Sequence, residues 1–284
     1  MKILVTGSYG QLGRALEREL AGDSDIEAIF TDYDTLDITD QEALSGFLAE
    51  HPVDVIVNCA AYTAVDKAES DSDRARLVNT LAPGVLGKAA HRIGAKVIHI
   101  STDYVFGGDN FRPYLEYDEP GPRSVYGRTK LEGEAMLKSA CKNTVIIRTA
   151  WLYSEDGNNF VKTMLRKADE GEEIRVVADQ IGTPTYAGDL AAAIYAILHA
   201  EQWTPGIYHF TDEGVASWYD FAKAIMDNAG KNVKVTPVDS SNYPTAAQRP
   251  FYSVLSKNKI KKTYGITIPY WQDSLRKCIA NMVK

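Results

Sequence analysis

The first half of the chain alternates short, almost continuously apolar runs with amphipathic stretches. The runs are KILVTG, IEAIFTD, VDVIVNCA, KVIHIST and TVIIRTA, and stretches with helical spacing such as QLGRALERELA lie between them. Apolar runs without polar alternation are typical of strands buried on both faces, and parallel strands need crossover connections that are usually helices. The sequence therefore predicts an α/β fold with a doubly wound parallel sheet covered by helices on both faces.

After Trp151 the alternation becomes less regular. Helical patterns occur in NNFVKTMLRKADEG, DLAAAIYAILHA and SWYDFAKAIMDNAG, and short strand patterns occur in IRVVAD and IYHFTD. This predicts a smaller mixed α/β region, with the aromatic residues of WYDFAKAIM in its core. We assign residues 1–150 and about 186–212 to the first domain, and residues 151–185 and 213–284 to the second.

Individual residues predict several element boundaries. Thr39 precedes the acidic first turn of TDQEALSGFLAEH, which predicts a helix capped by that threonine. The stretch from Asp73 to Ile93 has helical character, and Pro83 is expected to interrupt it because proline removes a hydrogen-bond donor. A long loop is expected from Gly107 to Arg123.

Composition excludes several classes of partner. The 284 residues can bury a large core, and a net charge of −7 argues against binding a nucleic-acid backbone. No apolar stretch approaches the roughly 18 residues of a membrane span, and the apolar run in MKILVTG is too short for a signal peptide. Cys59, Cys141 and Cys278 are far apart, which indicates neither a disulfide framework nor a metal site. We expect a cytoplasmic protein with neither a nucleic-acid nor a membrane partner.

Three glycines lie in the turn between the first strand and the first helix. Gly7, Gly10 and Gly13 in TGSYGQLG have the spacing GxxGxxG, which differs by one residue from the common GxGxxG. Glycine tolerates positive φ and allows close backbone approach, which a dinucleotide pyrophosphate needs at a helix N-terminus. Strand-to-helix turns use glycine for other reasons too, but the position within a β-α-β pattern favours cofactor binding.

The end of the second strand offers a ribose contact. Asp32 can bond both ribose hydroxyls of NAD and would repel a 2′-phosphate; Asp34 is a rival, and turn formation is the alternative role. The next lysine is Lys67, so the sequence favours NADH, or use of both cofactors, over NADPH alone. Asp37 and Ile38 are candidates for the adenine edge, and the small residues of NCAAYT would let the cofactor lie against the backbone.

A tyrosine and a lysine stand one helical turn apart in SVYGRTKLEGEAMLK. Tyr126 and Lys130 share a helical face, and the ammonium is expected to lower the pKa of the phenol. Such a tyrosine can donate a proton to a carbonyl oxygen as hydride arrives, while the lysine bonds the nicotinamide ribose and Thr102 holds the same oxygen. Alone, a Tyr–Lys pair is usually a solvated helix face. The glycine turn, the strand-end threonine and the pair occur in this order on one fold, which favours catalysis.

The chain resembles the extended short-chain dehydrogenase/reductases over nearly its whole length, and among them most closely the dTDP-4-dehydrorhamnose reductases. The stretches that carry the resemblance are GQLG, NCAAYTAVDKAE, STDYVF, VYGRTKLEGE, RTAWLY, NNFVKTML, DQIGTPT and RPFYSVLS. The resemblance implies a Rossmann-type domain with a smaller sugar-nucleotide domain. It also implies Thr102, Tyr126 and Lys130 as the catalytic set, with Tyr126 as the proton donor.

Further site residues follow from the same resemblance. The cofactor contacts that it implies are Gly10, Gln11 and Leu12 at the pyrophosphate, Asp37 and Ile38 at the adenine, then Ala61, Tyr62, Thr63, Tyr126 and Lys130. The substrate contacts that it implies are Thr102, Asp103 and Trp151. It implies NADPH or NADH as cofactor, a dTDP-sugar substrate and a homodimer. Some members of the family use Mg²⁺, but we assign no carboxylate cluster to a metal.

The residues on the substrate side can also be weighed without the resemblance. Asp103 is followed by Tyr104 rather than by a second acid, and elimination of water needs both an acid and a base, so carbonyl reduction is favoured over dehydration. Asp103 is then a candidate for bonding a sugar hydroxyl, or a strand-end cap. Trp151 follows a strand end, where ligands of open sheets gather, although core packing is an equal alternative. Arg249 suits a diphosphate because arginine bonds phosphate in a bidentate way; a surface salt bridge is its alternative.

Together these features predict an NAD(P)H-dependent oxidoreductase. The expected reaction reduces the C4 ketone of dTDP-4-dehydro-6-deoxy-L-mannose to dTDP-L-rhamnose, the last step of dTDP-L-rhamnose biosynthesis, for surface polysaccharides. Two alternatives stay open: another nucleotide-sugar 4-ketoreductase or epimerase, and a non-catalytic NAD(P)-binding regulatory subunit. The intact set of Thr102, Tyr126 and Lys130 argues against the second.

Overall fold

The structure of the protein is a computed structural model that describes residues 1–282. Its strands are β1 Lys2–Thr6, β2 Glu27–Thr31, β3 Val55–Asn58, β4 Lys96–Thr102, β5 Thr144–Thr149, β6 Leu152–Tyr153, β7 Ile174–Val177, β8 Ile181–Gly182, β9 Thr185–Tyr186, β10 Gly206–His209, β11 Ala216–Ser217 and β12 Val235–Val238. Its α-helices are α1 Gln11–Leu20, α2 Gln41–Glu50, α3 Val65–Ala68, α4 Ser72–Arg76, α5 Ala82–Ile93, α6 Val125–Ala140, α7 Phe160–Asp169, α8 Ala187–Leu198, α9 Trp218–Asn228, α10 Asn258–Tyr264 and α11 Trp271–Met282. A π-helical turn spans Leu77–Leu81, and short 3₁₀ turns span Asp103–Val105 and Ser240–Asn242.

The central sheet has six strands in the order β10-β5-β4-β3-β1-β2, and all its pairs are parallel. The predicted parallel sheet is therefore confirmed. After β1 the chain adds β2 on one side and then β3 on the other. In open sheets, ligands bind beyond the carboxyl ends of the strands at such a reversal. Thr6 pairs with Asn58 and Thr102 pairs with Thr149, so the carboxyl ends of these strands lie at one edge.

Successive residues of the strands point to opposite faces of the sheet, so each strand contributes to two cores. Ile3 and Val5 of β1 face α1 and α8, whose apolar sides are buried with them. Leu4 faces the opposite layer of α2, α5 and α6. This arrangement explains why the strands read as continuous apolar runs rather than as alternating ones.

A third apolar cluster lies apart from the sheet, among α7, α9, α11, β7 and β12. Tyr153, Phe221 and Trp271 are large members of it. Ile260 and Ile268, which we assigned to the second domain, instead pack into the cluster shared by α1 and α8, because α10 lies against the sheet's edge strand β10. The division into two domains stays a prediction.

Two expected helix boundaries differ in the structure. Helix α2 is capped by Asp40, whose Oδ1 accepts hydrogen bonds from the amides of Glu42 and Ala43 at 2.9 and 3.0 Å. The prediction of a Thr39 cap is wrong, because the Thr39 hydroxyl donates to Asp37 Oδ1 at 2.7 Å. Aspartate and threonine both cap well, so adjacent candidates leave the boundary open by one residue.

Pro83 does not break the helical path between Ser72 and Ile93. It lies in the first turn of α5, directly after the π-helical turn, and this wider turn interrupts the regular hydrogen-bond pattern where the proline N–H is missing. The wide turn directs Asn79 and Thr80 inward. Asn79 Oδ1 accepts the amide of Tyr62 at 2.9 Å, and the Thr80 hydroxyl donates to the carbonyl of Thr129 at 2.9 Å.

Helix α6 begins at a serine cap and packs closely on its neighbours. The Ser124 hydroxyl accepts the amide of Gly127 at 3.1 Å. A Cβ at Gly127 would overlap the carbonyl of Tyr104, and a Cβ at Gly133 would overlap the carbonyl of Asn79. The glycines of VYGRTKLEGE therefore allow α6 to lie directly against the π-helical turn and the end of β4.

The remaining predicted elements are confirmed. Residues 107–123 form no helix and no extended strand, and the helices predicted in the second half correspond to α7, α8 and α9. Within residues 1–282, no helix has the length and apolar character that crossing a membrane requires.

Candidate active site

A cleft of about 830 Å³ opens at the carboxyl ends of the central strands. It is lined by all the candidate site residues except one: Gly7, Gly10, Gln11, Leu12, Gly13, Asp32, Asp37, Ile38, Ala61, Tyr62, Thr63, Thr102, Asp103, Tyr126, Lys130 and Trp151. The exception is Arg249. The structure thus brings together residues up to 144 positions apart in the chain, from Gly7 to Trp151. Their individual roles stay predictions.

The glycine turn has the geometry of an anion cradle. Gly7 has φ +69°, and a Cβ there would come within 2.6 Å of the amide nitrogen of Ala60. A Cβ on Gly13 would come within 2.5 Å of the carbonyl of Gly7. Helix α1 begins after Gly10 without a side-chain cap, so the amides of its first turn are available to a ligand. The turn fits a dinucleotide pyrophosphate.

Asp32 is fixed at the far end of the cleft from the Tyr–Lys pair. Its Oδ2 accepts the amide of Tyr9 and its Oδ1 accepts the amide of Tyr33, both at 2.8 Å. Its rival Asp34 lies outside the cleft lining. Arg74, which the sequence did not single out, also lines the cleft, with its guanidinium carbon 5.4 Å from the centroid of the Tyr33 ring.

Lys130 is not on a solvated helix face. Its side chain is buried, and its Nζ donates to the carbonyl of Ile100 at 2.6 Å. Tyr126 is half-buried beside it, and the ring of Tyr104 packs edge-on against the Tyr126 ring at 5.6 Å. The helical spacing therefore directs both side chains of the pair into the cleft beside Thr102.

Burial determines how the pair titrates in this structure. It raises the pKa of Tyr126 to about 12, while the Thr102 side chain acts in the opposite direction. It lowers the pKa of Lys130 to about 8, against the charge of Glu134, which raises it. The expected lowering of the tyrosine pKa is thus corrected, because loss of water disfavours the phenolate more than its surroundings favour it. At neutral pH the phenol keeps its proton.

A buried ion pair lies one helical turn beyond Lys130. Glu134 lies one turn further along α6, and its two oxygens accept Arg148 Nε at 2.9 Å and a terminal guanidinium nitrogen at 2.7 Å. The Ser101 hydroxyl donates to the same carboxylate at 2.5 Å. The side chains of Glu134 and Arg148 are only 3% and 2% exposed, so this pair joins α6 to β4 and β5 in a dry environment. Neither residue of the pair lies in a motif that would predict this contact.

Asp103 combines burial with an unfilled hydrogen-bonding position. Its Oδ1 accepts the Thr102 hydroxyl at 3.1 Å, but its buried Oδ2 has no partner among the described residues. Burial raises the pKa of Asp103 to about 6, and the hydrogen bond from the Thr102 side chain acts in the opposite direction. Thr102, whose hydroxyl accepts the amide of Tyr104 at 3.2 Å, caps the short 3₁₀ turn. Asp103 is therefore left free to meet a ligand.

Two tryptophans stack at the other wall of the cleft. Their ring centroids are 3.7 Å apart with 12° between the planes of Trp151 and Trp218. Trp151 has φ +49° and is the sole non-glycine residue with positive φ within residues 1–282, so its backbone is strained. Phe221, one turn later, is buried in the core cluster of α7, α9 and α11, as expected. Trp218 packs against the same cluster and also lines the cleft, which the sequence did not predict.

Arg249 is engaged elsewhere. Its two terminal nitrogens lie 3.1 and 2.6 Å from the carboxylate oxygens of Asp66, and its side chain is 22% exposed. The structure therefore shows the salt bridge that was the alternative reading of this arginine. A role at a diphosphate stays a prediction.

Metal-ligating side chains are dispersed. Over the part of the chain that the structure describes, no group of three or more His, Cys, Asp or Glu side chains is placed to hold a metal ion. The Mg²⁺ that the resemblance raised therefore gains no assigned site.

The sheet, the glycine turn and the Thr-Tyr-Lys set define the class of protein. A parallel Rossmann-type sheet has an uncapped, glycine-lined helix N-terminus at one end of its cleft. Thr102, Tyr126 and Lys130 lie together at the other end. This is the arrangement of an extended short-chain dehydrogenase/reductase.

Comparison with known proteins narrows the class to a family. The family model described as RmlD substrate binding domain matches residues 1–284. A solved dTDP-4-dehydrorhamnose reductase from Clostridium acetobutylicum ATCC 824 is 44% identical, with a TM-score of 0.96, and the match covers 100% of both chains. The structure of dTDP-4-dehydrorhamnose reductase from Bacillus anthracis str. Ames, in complex with NADP, is 40% identical with a TM-score of 0.94 over 99% of both chains. The spore coat polysaccharide biosynthesis protein SpsK of Bacillus subtilis (strain 168) is 41% identical over 275 residues, which are 97% of this chain and 95% of that protein. The chain belongs to the RmlD family of dTDP-4-dehydrorhamnose reductases.

Proposed function

We propose that this protein reduces the C4 ketone of dTDP-4-dehydro-6-deoxy-L-mannose to dTDP-L-rhamnose with NADPH or NADH. The observation that carries the proposal is the meeting of Thr102, Tyr126 and Lys130 in the same cleft as the glycine turn. The membership of the chain in its family supplies the substrate class. The product would enter the synthesis of surface polysaccharides.

The residues of the chain divide the work along the cleft. The bound dinucleotide supplies the hydride. The first-turn amides of α1 would hold its pyrophosphate, and Asp32 would bond the adenosine ribose. Lys130, whose Nζ donates to the carbonyl of Ile100, would bond the nicotinamide ribose.

Tyr126 is the proton donor in this proposal. Because burial raises its pKa to about 12, the phenol is protonated at neutral pH and can donate to the ketone oxygen as negative charge develops there. The Thr102 hydroxyl shares the same oxygen. Lys130 places a positive charge near the phenolate that remains, which reduces the cost of forming it in a buried site.

The substrate side favours reduction over dehydration. Asp103 is buried with a free Oδ2, which suits a hydrogen bond from a sugar hydroxyl. The next residue is Tyr104, so no second carboxylate stands there as the base that elimination needs. Burial raises the pKa of the Tyr104 phenol, which therefore does not replace that base. Trp151 and Trp218, which both line the cleft, would provide an apolar wall for a sugar ring or its methyl group.

The proposal also covers the oligomeric state, the cofactor and the rival activities, for which it draws on the family rather than on the site. A homodimer is part of it as a family expectation, to be tested by sedimentation. The bound NADP of the Bacillus anthracis relative favours NADPH as one cofactor. The rival activities are reduction or epimerisation of a different 4-keto nucleotide sugar.

The test is oxidation of NADPH and NADH, followed by absorbance, with dTDP-4-keto-L-rhamnose generated in situ. Tyr126→Phe should lower kcat by about 10²- to 10⁴-fold, the usual contribution of a positioned proton donor, while cofactor binding persists. Tyr117→Phe is the matched control, because that ring is 81% exposed and lies outside the cleft. Unchanged turnover in Tyr126→Phe would remove the proposed donor. Absence of turnover in the wild type with cofactor bound would shift the proposal to another keto sugar or to the regulatory subunit.

A further inference from the structure

Arg74 brings a positive charge to the adenosine end of the cleft. It lies on α4, 42 positions after Asp32 in the chain, and lines the cleft beside the end of β2. Its guanidinium carbon stands 5.4 Å from the centroid of the Tyr33 ring. Within residues 1–282 it makes no salt bridge, and Lys130 is the one other basic residue that lines the cleft.

Tyr33 lies between Arg74 and Asp32, the residue at which the adenosine ribose is expected. Tyr33 directly follows Asp32, and its amide is bonded to the Asp32 carboxylate at 2.8 Å. In this fold the acid at the end of the second strand faces the ribose 2′-hydroxyl, and an arginine nearby accommodates a 2′-phosphate. A guanidinium over the ring of the next residue is within side-chain reach of the same ribose position.

We propose that Arg74 binds the 2′-phosphate of NADPH and so sets the cofactor preference of this enzyme. This inference rests on the proposed dinucleotide site. Of the two options that the sequence left, NADH or use of both cofactors, it favours use of both, through a basic residue that does not lie close behind Asp32 in the chain. The guanidinium offers paired donors to a phosphate, which makes it better suited than a point charge.

The neighbouring acids leave this charge available. Asp32 is anchored by two backbone amides, Asp37 Oδ1 accepts from the amide and hydroxyl of Thr39, and Asp71 Oδ2 accepts from the Tyr62 hydroxyl at 3.0 Å. Asp32 disfavours a second negative group at the ribose, while Arg74 favours it. The opposed charges would let the site accept both cofactors, with Arg74 supplying the affinity that NADPH gains.

Adenine stacking is the competing role. An arginine over an aromatic ring can also cover the face of a base, and such a contact does not distinguish NADPH from NADH. The two roles therefore differ in one measurable quantity: the ratio of the affinities for ligands with and without a 2′-phosphate.

The experiment measures dissociation constants of the full chain for NADPH, NADH, 2′,5′-ADP and 5′-ADP by calorimetry, without sugar substrate. Arg74→Gln should raise the NADPH/NADH and the 2′,5′-ADP/5′-ADP ratios of dissociation constants by about 10- to 100-fold, the range for a lost charge-assisted hydrogen bond. Arg76→Gln is the control, because Arg76 is exposed on the same helix and does not line the cleft; its ratios should match the wild type.

Each outcome decides the proposal. A proportional loss for all four ligands in Arg74→Gln would assign the residue to the adenine and overturn the proposal, and so would unchanged ratios. Because no keto sugar is present, the ratios do not depend on the reduction itself. A wild type that discriminates through Arg74 yet turns over no keto sugar would refute the proposed function and leave the proposal for Arg74 standing.

Discussion

The buried pair of Glu134 and Arg148 should dominate the stability of the sheet's centre. Arg148→Met keeps most of the apolar stem and removes two hydrogen bonds of 2.9 and 2.7 Å to a carboxylate that is 3% exposed. Removing one partner of a buried pair leaves the other charge uncompensated, which costs about 3–5 kcal/mol. The Ser101 hydroxyl remains as one donor to the carboxylate, so the lower half of this range is expected.

The assay is unfolding by heat and by urea, followed by near- and far-ultraviolet circular dichroism so that coincidence of the two signals tests a single transition. The loss corresponds to a melting temperature about 6–8 °C lower, at roughly 2 °C per kcal/mol for a chain of this size. The double variant Glu134→Leu/Arg148→Met should regain much of the loss, since apolar groups of similar volume replace buried pairs well.

An exposed pair provides the control. Arg166 on α7 and Glu170, which directly follows the end of that helix, are joined at 2.6 Å, but their side chains are 57% and 47% exposed. Such pairs contribute about 0.3–0.5 kcal/mol, so Glu170→Gln should barely change the melting temperature. If Arg148→Met and Glu170→Gln shifted it equally, or if the double variant were no better than the single one, the reasoning from burial would be refuted.

Three further predictions concern the cleft and the catalytic helix. The kcat/KM for the keto sugar should fall below pH about 6 as Asp103 becomes protonated, and above pH about 8 as Lys130 loses its proton. The variant Asp103→Asn should remove only the decrease on the acidic side. A wild-type profile that is flat from pH 5 to 9 would contradict both assignments. Trp218→Ala should raise KM for the sugar nucleotide about 2- to 10-fold, the value of one aromatic stack, with the NADPH dissociation constant unchanged, and an unaltered KM would show that the stacked wall does not meet the substrate. Gly133→Ala should lower the melting temperature, because the added Cβ would overlap a backbone carbonyl of the π-helical turn. Gly46→Ala, in open space on α2, should raise the melting temperature slightly, because alanine has the better helix propensity. Thermal melts that show the same sign for both variants would contradict the close-packing argument.

The sequence predicted well those features whose residues lie within one short segment of the chain. The parallel sheet follows from apolar runs, and the glycine turn and the Tyr–Lys pair each lie within one short segment, so local spacing carries their geometry. Arg74 and Trp218 reach the cleft through α4 and α9, and nothing near them in the sequence relates them to Asp32 or Trp151. Their placement depends on how distant elements pack, which periodicity does not encode.

The titration of the site could not be predicted for the same reason. From the spacing alone, the charge of Lys130 is the only influence on Tyr126 that can be recognised. Desolvation depends on what the rest of the chain places above both side chains, and it reverses the expected direction for the tyrosine. The Glu134–Arg148 pair shows the same limit, because a glutamate and an arginine in an amphipathic helix and a strand look like surface residues until the sheet forms.

The π-helical turn at Leu77–Leu81 should make the part of the molecule around the Tyr–Lys pair intolerant of a change in helix length. Each residue of an α-helix advances the chain by about 100°, so deleting one residue to restore regular α-helix would rotate Asn79 away from both of its neighbours. Asn79 ties the Tyr62 segment to Thr129 on α6, through bonds of 2.9 and 3.3 Å. The extra residue of the π-helical turn thus keeps Asn79 oriented toward both the Tyr62 segment and helix α6. Insertions or deletions should be tolerated in the loop of residues 107–123 long before they are tolerated here.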